Sequence, residues 1–280
     1  RSIASRAVAA IRCEAILLRA VDYGESDRIV HVLTESGGRL TAIAKAARRS
    51  KRRFPGTLDV FNRLAIEGRV KPRAAMAFLE RARLIDPYLG LRVIPGRYAL
   101  ASFLIEMLDR LAPEGIVGEE AERLFGFASE SLSLLSRVEP TASLRLLLEL
   151  RGLDALGLRP EFGRCVRCGR VAGEEIAADH RIHFHVADGG IACTACAMRL
   201  DGLIPIELGS LRALDRGLSA DVEELPGIAL DARMLAQAGR VVFRFQRFHV
   251  GVELRSERFL DEVLPVAHAA KSAPDPVGAS

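Results

Sequence analysis

Two C-x-x-C pairs are the residues of this sequence whose types and spacing most directly indicate chemistry. "CVRC" supplies Cys165 and Cys168, "CTAC" supplies Cys193 and Cys196, and 24 residues separate the pairs. A C-x-x-C turn can present both sulfurs to one ion, and four thiolates complete the tetrahedral coordination that Zn²⁺ prefers. Four protein ligands leave no position open for water, so we expect one structural Zn²⁺ per chain. The alternatives are a redox-active C-x-x-C and four uncoordinated thiols.

Three histidines lie between the two cysteine pairs, in the stretch "HRIHFHV". His180, His183 and His185 are chemically able to compete as zinc ligands. The alternation in "RIHFHV" instead favours a small hairpin with His183 and His185 on one exposed face, because the four cysteines already satisfy the ion. The fifth cysteine, Cys13, stands alone at a predicted strand start, and we expect it to be a small packed residue.

The stretch "AKAARRSKRRF", residues 44–54, holds six Lys or Arg and no acid. Charge is uneven along the chain: residues 1–86 contain 18 Lys and Arg against nine Asp and Glu, whereas residues 87–280 contain 22 against 27. Basic charge concentrated in one part of a chain predicts a polyanionic partner such as nucleic acid. A solvated loop that only adds solubility is the alternative. A loop of this charge repels itself, so we expect it to stay mobile until a polyanion neutralises it.

Residues 13–86, which must position this stretch, have the pattern of β-structure. In "RIVHVLT", Val30 and Val32 share one face and His31 takes the other. Five short antiparallel strands cannot bury themselves as a flat sheet, whereas a closed barrel removes the sheet edges, so we predict a five-stranded OB-fold. The basic stretch falls between its third and fourth strands. The predicted strand runs are "EAILLRAV", "DRIVHVLTE", "RLTAIAKAA", "DVFNRLAIEGRV" and "AMAFLERARLID".

After "DPYLGLRVIPG" the apolar residues recur at intervals of three and four, which predicts helices. Phe103, Leu104, Met107 and Leu108 form the first apolar stripe. Two more helices precede the first cysteine pair, around residues 124–135 and 144–157. Helices resume in "PIELGSLRALDRGL", "DARMLAQAGRVVFRFQRFHV" and "SERFLDEVL", the last two with Asp231 and Ser256 as predicted N-caps.

The predicted fold class is α+β and multidomain: an N-terminal five-stranded OB-fold β-barrel, an all-α helical domain and an inserted four-cysteine zinc module. No apolar run approaches the roughly 20 residues that span a bilayer. The paired cysteines favour a reducing cytosol. The predicted segments are a flexible arm (1–10), the OB-fold DNA-binding domain (11–86), the helical domain in two parts (87–160 and 201–266), the zinc-binding module (161–200) and a disordered tail (267–280).

An OB-fold with a cationic face commonly binds single strands, with Lys and Arg on phosphates and aromatic rings on bases. Aromatics are few in the barrel (Tyr23, Phe54, Phe61 and Phe78), so phosphate contacts should dominate with little sequence preference. If the seven basic residues from Arg39 to Arg53 all contact single-stranded phosphates, log K should fall against log salt with a slope of about −5. The predicted DNA contacts are Arg39, Lys45, Arg48, Arg49, Lys51, Arg52, Arg53, Arg63, Arg69, Lys71 and Arg73, and the barrel also carries Arg81 and Arg83.

Enzyme motifs are scarce in the sequence. There is no G-x-S-x-G, no P-loop and no G-x-G-x-x-G, so we assign no catalytic residue. "DYGESD" places Asp22, Glu25 and Asp27 close together, which is compatible with a divalent ion. A polar hairpin turn is the simpler interpretation of the same residues.

Three longer segments carry a family resemblance: "YGESDRIVHVLTESGGRLTAIAKAARRSKRRFPGTLDVFNRL", "LLLELRGLDALGLRPEFGRCVRCGR" and "ELRSERFLDEVL". In this order they resemble the family of the bacterial recombination mediator RecO, over nearly everything from Ile11 to Leu264. The resemblance implies an N-terminal OB-fold, a helical domain and a zinc module. It also makes the basic residues from Arg39 to Arg53 the DNA-contact candidates, and the four cysteines zinc ligands that some family members lack.

Members of the family that this chain resembles bind single- and double-stranded DNA and anneal complementary strands. With the partner RecR, and often with single-strand-binding protein, they load the recombinase RecA during gap repair. The resemblance implies a pocket in the helical domain for the C-terminal tail of single-strand-binding protein, to which we assign no residues. We therefore predict a non-enzymatic, cytoplasmic, nucleoid-associated DNA-binding mediator. The alternatives are a zinc-ribbon protein-interaction adaptor in transcription and, more weakly, a metal-dependent nuclease that uses Asp22, Glu25 and Asp27.

Overall fold

The computed structural model describes residues 9–71, 74–172 and 182–266. Most of the predicted arm (residues 1–8) and the predicted tail (267–280) lie outside these ranges. The chain divides into two compact units. Unit 1 comprises Arg1–Pro140 with Leu254–Val263, and unit 2 comprises Thr141–Glu253 with Leu264–Ser280.

Five strands of unit 1 form a closed barrel in the order β1-β2-β3-β5-β4. The expectation of antiparallel strands holds for four pairs and is wrong for β3–β5, which is parallel because closing the barrel brings together two strands that run in the same direction. This closure and order confirm the predicted OB-type barrel. The strands are β1 (Ala9–Tyr23), β2 (Asp27–Thr34), β3 (Gly38–Ala44), β4 (Arg63–Val70) and β5 (Ala77–Asp86).

The long first strand makes closure possible, because its two halves pair with different neighbours. Residues 9–16 of β1 pair with β4, and residues 15–23 pair with β2. Alternate side chains point into the barrel, where Val30 and Val32 are buried as predicted, beside Leu17 and Leu64. Gly68 lies at a register shift between β4 and β5, where a Cβ atom would stand 2.5 Å from the Phe78 carbonyl oxygen. Only glycine allows the two strands to approach this closely.

The described residues contain seven α-helices, and the predicted helical segments are all present. Phe103, Leu104, Met107 and Leu108 are buried as the first apolar stripe requires. No described helix combines the length and the apolar character that crossing a membrane requires. The helices are α1 (Pro95–Leu111), α2 (Glu119–Leu135), α3 (Ala142–Ala155), α4 (Thr194–Ala197), α5 (Leu208–Ser219), α6 (Ala232–Val250) and α7 (Arg255–Val263).

Unit 2 combines α3, α5 and α6 with a small three-stranded sheet. The sheet has the order β7-β6-β8, from β6 (Ile182–His185), β7 (Gly190–Ala192) and β8 (Leu203–Ile206). Asp231 caps α6 as predicted, because its side chain accepts a hydrogen bond from the Met234 N–H at 2.8 Å. In α3, the buried guanidinium of Arg145 lies 2.7 Å from Glu149 and donates to the Leu264 carbonyl.

The predicted N-cap at Ser256 is wrong, because α7 begins one residue earlier at Arg255. The capping group comes from α1 instead. The Glu106 carboxylate accepts the backbone N–H groups of Arg255 (3.0 Å) and Ser256 (2.8 Å) and the Ser256 hydroxyl (2.6 Å). Burial opposes ionisation of Glu106, but the hydrogen bonds from Ser256 and Arg255 outweigh it and lower the pKa below its ordinary value of 4.5.

Replacing Glu106 with Ala should lower the free energy of unfolding by about 1 kcal/mol, since two helix N–H groups lose their acceptor. Because the folded-state pKa is depressed, the ionised carboxylate stabilises the fold above its ordinary pKa, and this contribution disappears as the pH falls through the depressed value. The difference between wild type and E106A in chemical denaturation should therefore shrink in acid. The exposed Glu130 of α2 supplies the control E130A, and an equal loss in both variants would contradict the capping role.

Candidate nucleic-acid interface and metal centre

The basic stretch lies in the connection between β3 and β4 and is anchored in the barrel by apolar side chains. A short 3₁₀ turn at Ala47–Arg49 follows β3. Ala47, Phe54 and Leu58 belong to the core of the barrel, and Phe54 retains only 4% of its exposure. Ala47 and Phe54 thus bracket the cations from Arg48 to Arg53, whose charged groups stay outside the core because a charge cannot enter an apolar core without a partner.

Backbone hydrogen bonds also tie this loop to its neighbours. The Arg48 N–H donates to the Ser26 carbonyl and the Ala82 N–H donates to the Arg53 carbonyl, both at 3.0 Å. Ala46, in the left-handed conformation with φ of 52°, donates its N–H to Asp27 Oδ1 at 2.7 Å. These bonds fix the path of the loop backbone in this structure.

The exposed cations of the loop fall into two groups. Arg49, Lys51 and Arg52 are exposed, and none of them forms an ion pair within the part of the chain that the structure describes. Lys45 and Arg48 are also exposed, but each has an acidic neighbour. Phosphate contacts with the first group therefore require no internal ion pair to be broken.

The remaining predicted contacts are more dispersed around the barrel. Arg39 pairs with Glu114, Arg69 with Glu80, and Lys71 lies over the Phe78 ring. Arg53 donates to the Lys45 carbonyl. Arg73 lies outside the described residues.

Arg63 differs from the other candidates because both ends of its guanidinium are already bound. Its Nε lies 2.7 Å from the Glu14 carboxylate, and its Nη1 donates to Ser129 Oγ at 3.1 Å. The side chain is half-buried and also lies over the Phe125 ring. Arg63 therefore attaches α2 to the barrel.

Two further cations lie beside the loop. Arg81 and Arg83 are exposed on β5, on either side of Ala82, whose N–H bonds to the Arg53 carbonyl of the loop. The sequence places both among the cations of the barrel, outside the predicted DNA contacts. The alternation of "ERARL" around the buried Ala82 is the signal that places both on the outer face of the strand.

Two acidic residues of "DYGESD" form ion pairs with Arg28, Lys45 and Arg48. Asp22 pairs with Arg28 and Arg48, and Asp27 pairs with Lys45. Metal ions bind groups of three or more neighbouring His, Cys, Asp or Glu side chains. Among the described residues the group close enough to hold one ion consists of the four cysteines and does not include the acids of this turn. The geometry of the acidic turn is therefore that of an ion-paired hairpin.

The four cysteine sulfurs converge on one point in unit 2. All lie within 4.8 Å of one another, and the sulfurs of Cys168 and Cys193 are 3.7 Å apart. With Zn–S bonds of about 2.3 Å, two sulfurs of a tetrahedral centre lie about 3.8 Å apart, so this spacing fits a four-thiolate metal site. The donor set is soft and leaves no place for a fifth ligand of the protein.

The acidities of these thiols also fit a cation between them. Burial opposes ionisation of Cys165, but N–H groups from Cys193, Cys168 and Arg167 lower its pKa to about 6. Cys196 has its pKa raised to about 12 through contacts with Cys193, burial, and contacts with Cys168 and Cys165. The Cys196 thiol is thus hard to ionise beside its neighbours, and a divalent cation would offset the repulsion between thiolates.

Two tight backbone segments present the sulfurs. At the first pair, Cys165 accepts the Gly169 N–H at its carbonyl and donates its own N–H to Arg170. Gly169 has a φ of 74°, which the turn requires and which glycine adopts without strain. The second pair opens α4, where the Cys196 N–H donates to the Cys193 carbonyl at 3.0 Å.

The predicted hairpin between the cysteine pairs is present, but the prediction that His183 and His185 share an exposed face is only partly correct. β6 and β7 pair antiparallel, with Ile182 and Phe184 buried. His185 is only 7% exposed, so its predicted exposure is wrong. The reason is a third strand, β8, that pairs with β6, together with Asp188, whose carboxylate lies 2.8 Å from the imidazole. His183 is half-buried, and His180 lies outside the described residues.

Fold and site together define a class of protein: an OB-type barrel with a polycationic loop, joined in one chain to helices and a four-cysteine metal-type centre. Comparisons with known proteins agree. Residues 8–88 match the family "Recombination protein O N terminal", and residues 95–258 match "Recombination protein O C terminal". The chain therefore belongs to the RecO family.

Relatives of known name cover nearly the whole chain. The DNA repair protein RecO of Anaeromyxobacter dehalogenans (strain 2CP-C) is 33% identical over 260 residues, which are 91% of this chain and 98% of that protein. The DNA repair protein RecO of Myxococcus xanthus (strain DK1622) is 32% identical over 253 residues, which are 89% and 96% of the two chains. The protein of the same name from Pelobacter propionicus is 31% identical over 252 residues, which are 90% of this chain and 96% of that protein.

The anchoring of the loop predicts that Phe54 contributes to the stability of the barrel. Phe54→Ala should lower the free energy of unfolding by about 4 kcal/mol, because a large buried ring is lost from a packed core. Phe248→Ala is the matched control, since that ring is 60% exposed and its loss should cost little. Chemical denaturation of both variants is the measurement, and equal stability would show that the loop is not held by its apolar anchors.

Proposed function

We propose that this protein is a non-enzymatic recombination mediator that binds single- and double-stranded DNA without sequence specificity and anneals complementary strands. The observation that carries the proposal is the set of cations held outward on a barrel-anchored loop, with three of them engaged by no acid among the described residues. Membership of a family whose named relatives are DNA repair proteins supports it.

Phosphate is the chemistry that this surface fits. Arg and Lys bind phosphate oxygens through charge-assisted hydrogen bonds whatever the base sequence. Arg49, Lys51 and Arg52 form the centre of the proposed track, and Arg81 and Arg83 extend it along β5. The peripheral contacts in the proposal are Arg39, Lys45, Arg48, Arg53, Arg69, Lys71 and Arg73, while Arg63 contributes mainly through its structural pairs.

The aromatic residues of the barrel support binding without base readout. Phe54 and Phe61 are buried and Phe78 lies partly under Lys71, so these rings offer no open stacking platform. Tyr23 is the exposed one of the four. When the backbone is held and the base edges are left free, two complementary strands can pair, because the cations reduce the repulsion between them.

The family resemblance supplies the partners in this proposal. We place the protein with RecR and single-strand-binding protein at DNA gaps, where it helps to load RecA, in the bacterial cytoplasm at the nucleoid. The binding pocket for the C-terminal tail of single-strand-binding protein belongs to the helical part of the chain in this proposal.

The cysteine centre completes the proposal as a structural Zn²⁺ site. Cys165, Cys168, Cys193 and Cys196 would hold the ion, which supplies no reactive position because all four ligands come from the protein. Its role is to join the two ends of an insert that is too small to bury a core of its own.

Neutralising the centre of the track should weaken binding to every DNA sequence. The variant R49Q/K51Q/R52Q removes three phosphate contacts, so the slope of log K against log salt for single strands should become shallower by about 2. The control R123Q/R212Q/R258Q changes the net charge equally at exposed positions outside the loop. Fluorescence anisotropy with unrelated oligonucleotides over a range of salt concentrations measures both.

An unchanged slope in the loop variant, or an equal change in the control, would contradict phosphate binding by the loop. Annealing of complementary strands should fall in parallel with binding. Wild-type protein that binds neither single nor double strands would favour the alternative of a protein-interaction adaptor. Cleavage of labelled DNA in the presence of magnesium would overturn the non-enzymatic assignment.

The metal proposal predicts one Zn²⁺ per chain in protein purified without chelator. Cys168→Ser should lose the ion and lower the melting temperature, because the insert loses its cross-link. Cys13→Ser is the matched control, since it removes the fifth cysteine, which lies in the barrel, and should retain the ion. Elemental analysis measures the content, and metal-free wild type with all thiols reduced would refute the site.

A further inference from the structure

The turn between β1 and β2 places a carboxylate directly against the basic loop. Asp22 Oδ1 accepts a hydrogen bond from Arg28 Nε at 2.9 Å, and Asp22 Oδ2 lies 3.5 Å from Arg48 Nε. Arg48 also donates to the Glu25 carbonyl at 3.3 Å. In the free protein, an internal anion thus already occupies the position between two arginines where a phosphate would bind.

The second acid of the turn has a different geometry. Asp27 lies 2.8 Å from the Lys45 ammonium and accepts the Ala46 N–H at 2.7 Å. That hydrogen bond holds Ala46 in its left-handed conformation, which is unfavourable for a residue with a Cβ atom. The Asp27 side chain is 19% exposed, against 49% for Asp22. Asp27 is therefore part of the loop's framework, whereas Asp22 forms a solvated ion pair.

An ion pair of this kind can be exchanged for another anion. The Arg48 side chain is 45% exposed, and ion pairs between exposed groups are weak and screened by salt. A phosphate diester can replace Asp22 as the acceptor for Arg48, with charge-assisted hydrogen bonds of the same type. Arg49, Lys51 and Arg52 form no ion pair with an acid in the described part of the chain, so they need no exchange of partner.

We propose that Asp22 is an intramolecular competitor for the phosphates of a DNA strand. It orients Arg28 and Arg48 in the free protein and releases Arg48 when the strand binds, while Asp27 positions the loop in both states. This inference rests on the proposed DNA binding. Its consequence is a lower affinity and an easier departure of the strand, which suits a protein that must release the duplex it has annealed.

The test is Asp22→Asn, which keeps the shape of the side chain and removes its charge. Single strands should bind about fivefold more tightly at low salt, because Arg48 no longer has to leave a carboxylate. The slope of log K against log salt should become steeper by about 0.7 for each additional phosphate that the protein neutralises. Asp27→Asn should give no such gain.

The matched control is Glu35→Gln, which makes the same charge change just beyond the opposite end of β2. A second control is Arg48→Gln in the Asp22→Asn background, where the gain should vanish, because two residues that act through one contact are not additive. Asp22→Ser provides a second variant, and circular dichroism and thermal unfolding establish that each variant is folded.

The possible outcomes separate the two proposals. Equal gains in Asp22→Asn and Glu35→Gln, or a gain that survives loss of Arg48, would overturn the competitor role while leaving DNA binding intact. Weaker binding by folded Asp22→Asn would show that Asp22 only positions the arginines. Wild-type protein that fails to bind DNA would remove the proposed function, and this inference with it.

Discussion

Repulsion among six cations in eleven residues is the constraint on which the arrangement of the barrel loop depends. Like charges at this density favour an expanded chain, so the loop acquires a defined path only if other interactions exceed the repulsion. The barrel supplies them: Phe54 and Ala47 enter its core, and Ser26 and Ala82 bind the loop backbone. The apolar core thereby determines where positive charge is displayed, and a change at a buried ring becomes a change in the surface presented to a polyanion.

The two parts of the chain that carry the candidate sites solve the problem of small size in different ways. The barrel has enough strands to close, so no sheet edge remains unpaired and alternate side chains fill the interior. The insert around the cysteines has three short strands, which bury too little to fold alone. In the proposed zinc site, the four sulfurs would supply there the cross-link that a larger core supplies elsewhere.

Local patterns in the sequence predict the elements well because they report burial directly. Apolar and β-branched runs separated by turn residues locate all five barrel strands, and the three-four spacing locates the helices. What the sequence does not show is which distant group meets a given end or face. Glu106 caps α7 from a position some 150 residues away in sequence. Similarly, β8 pairs with β6, in which the alternation alone predicted an exposed His185. Both errors concern long-range partners, about which spacing along the chain carries no information.

The number of cations in the loop likewise does not reveal which of them have acidic partners. Lys45 and Arg48 look equivalent to Arg49, Lys51 and Arg52 in the sequence, yet only the first two are paired with acids of the β1–β2 turn. In the proposed DNA binding, the unpaired cations would attract a strand at long range, whereas Arg48 would contribute only after it exchanges Asp22 for a phosphate. In the proposed function, a surface built from both kinds of cation would bind phosphate with little sequence preference. Moderate strength would suit annealing, because a strand held too tightly cannot leave with its complement.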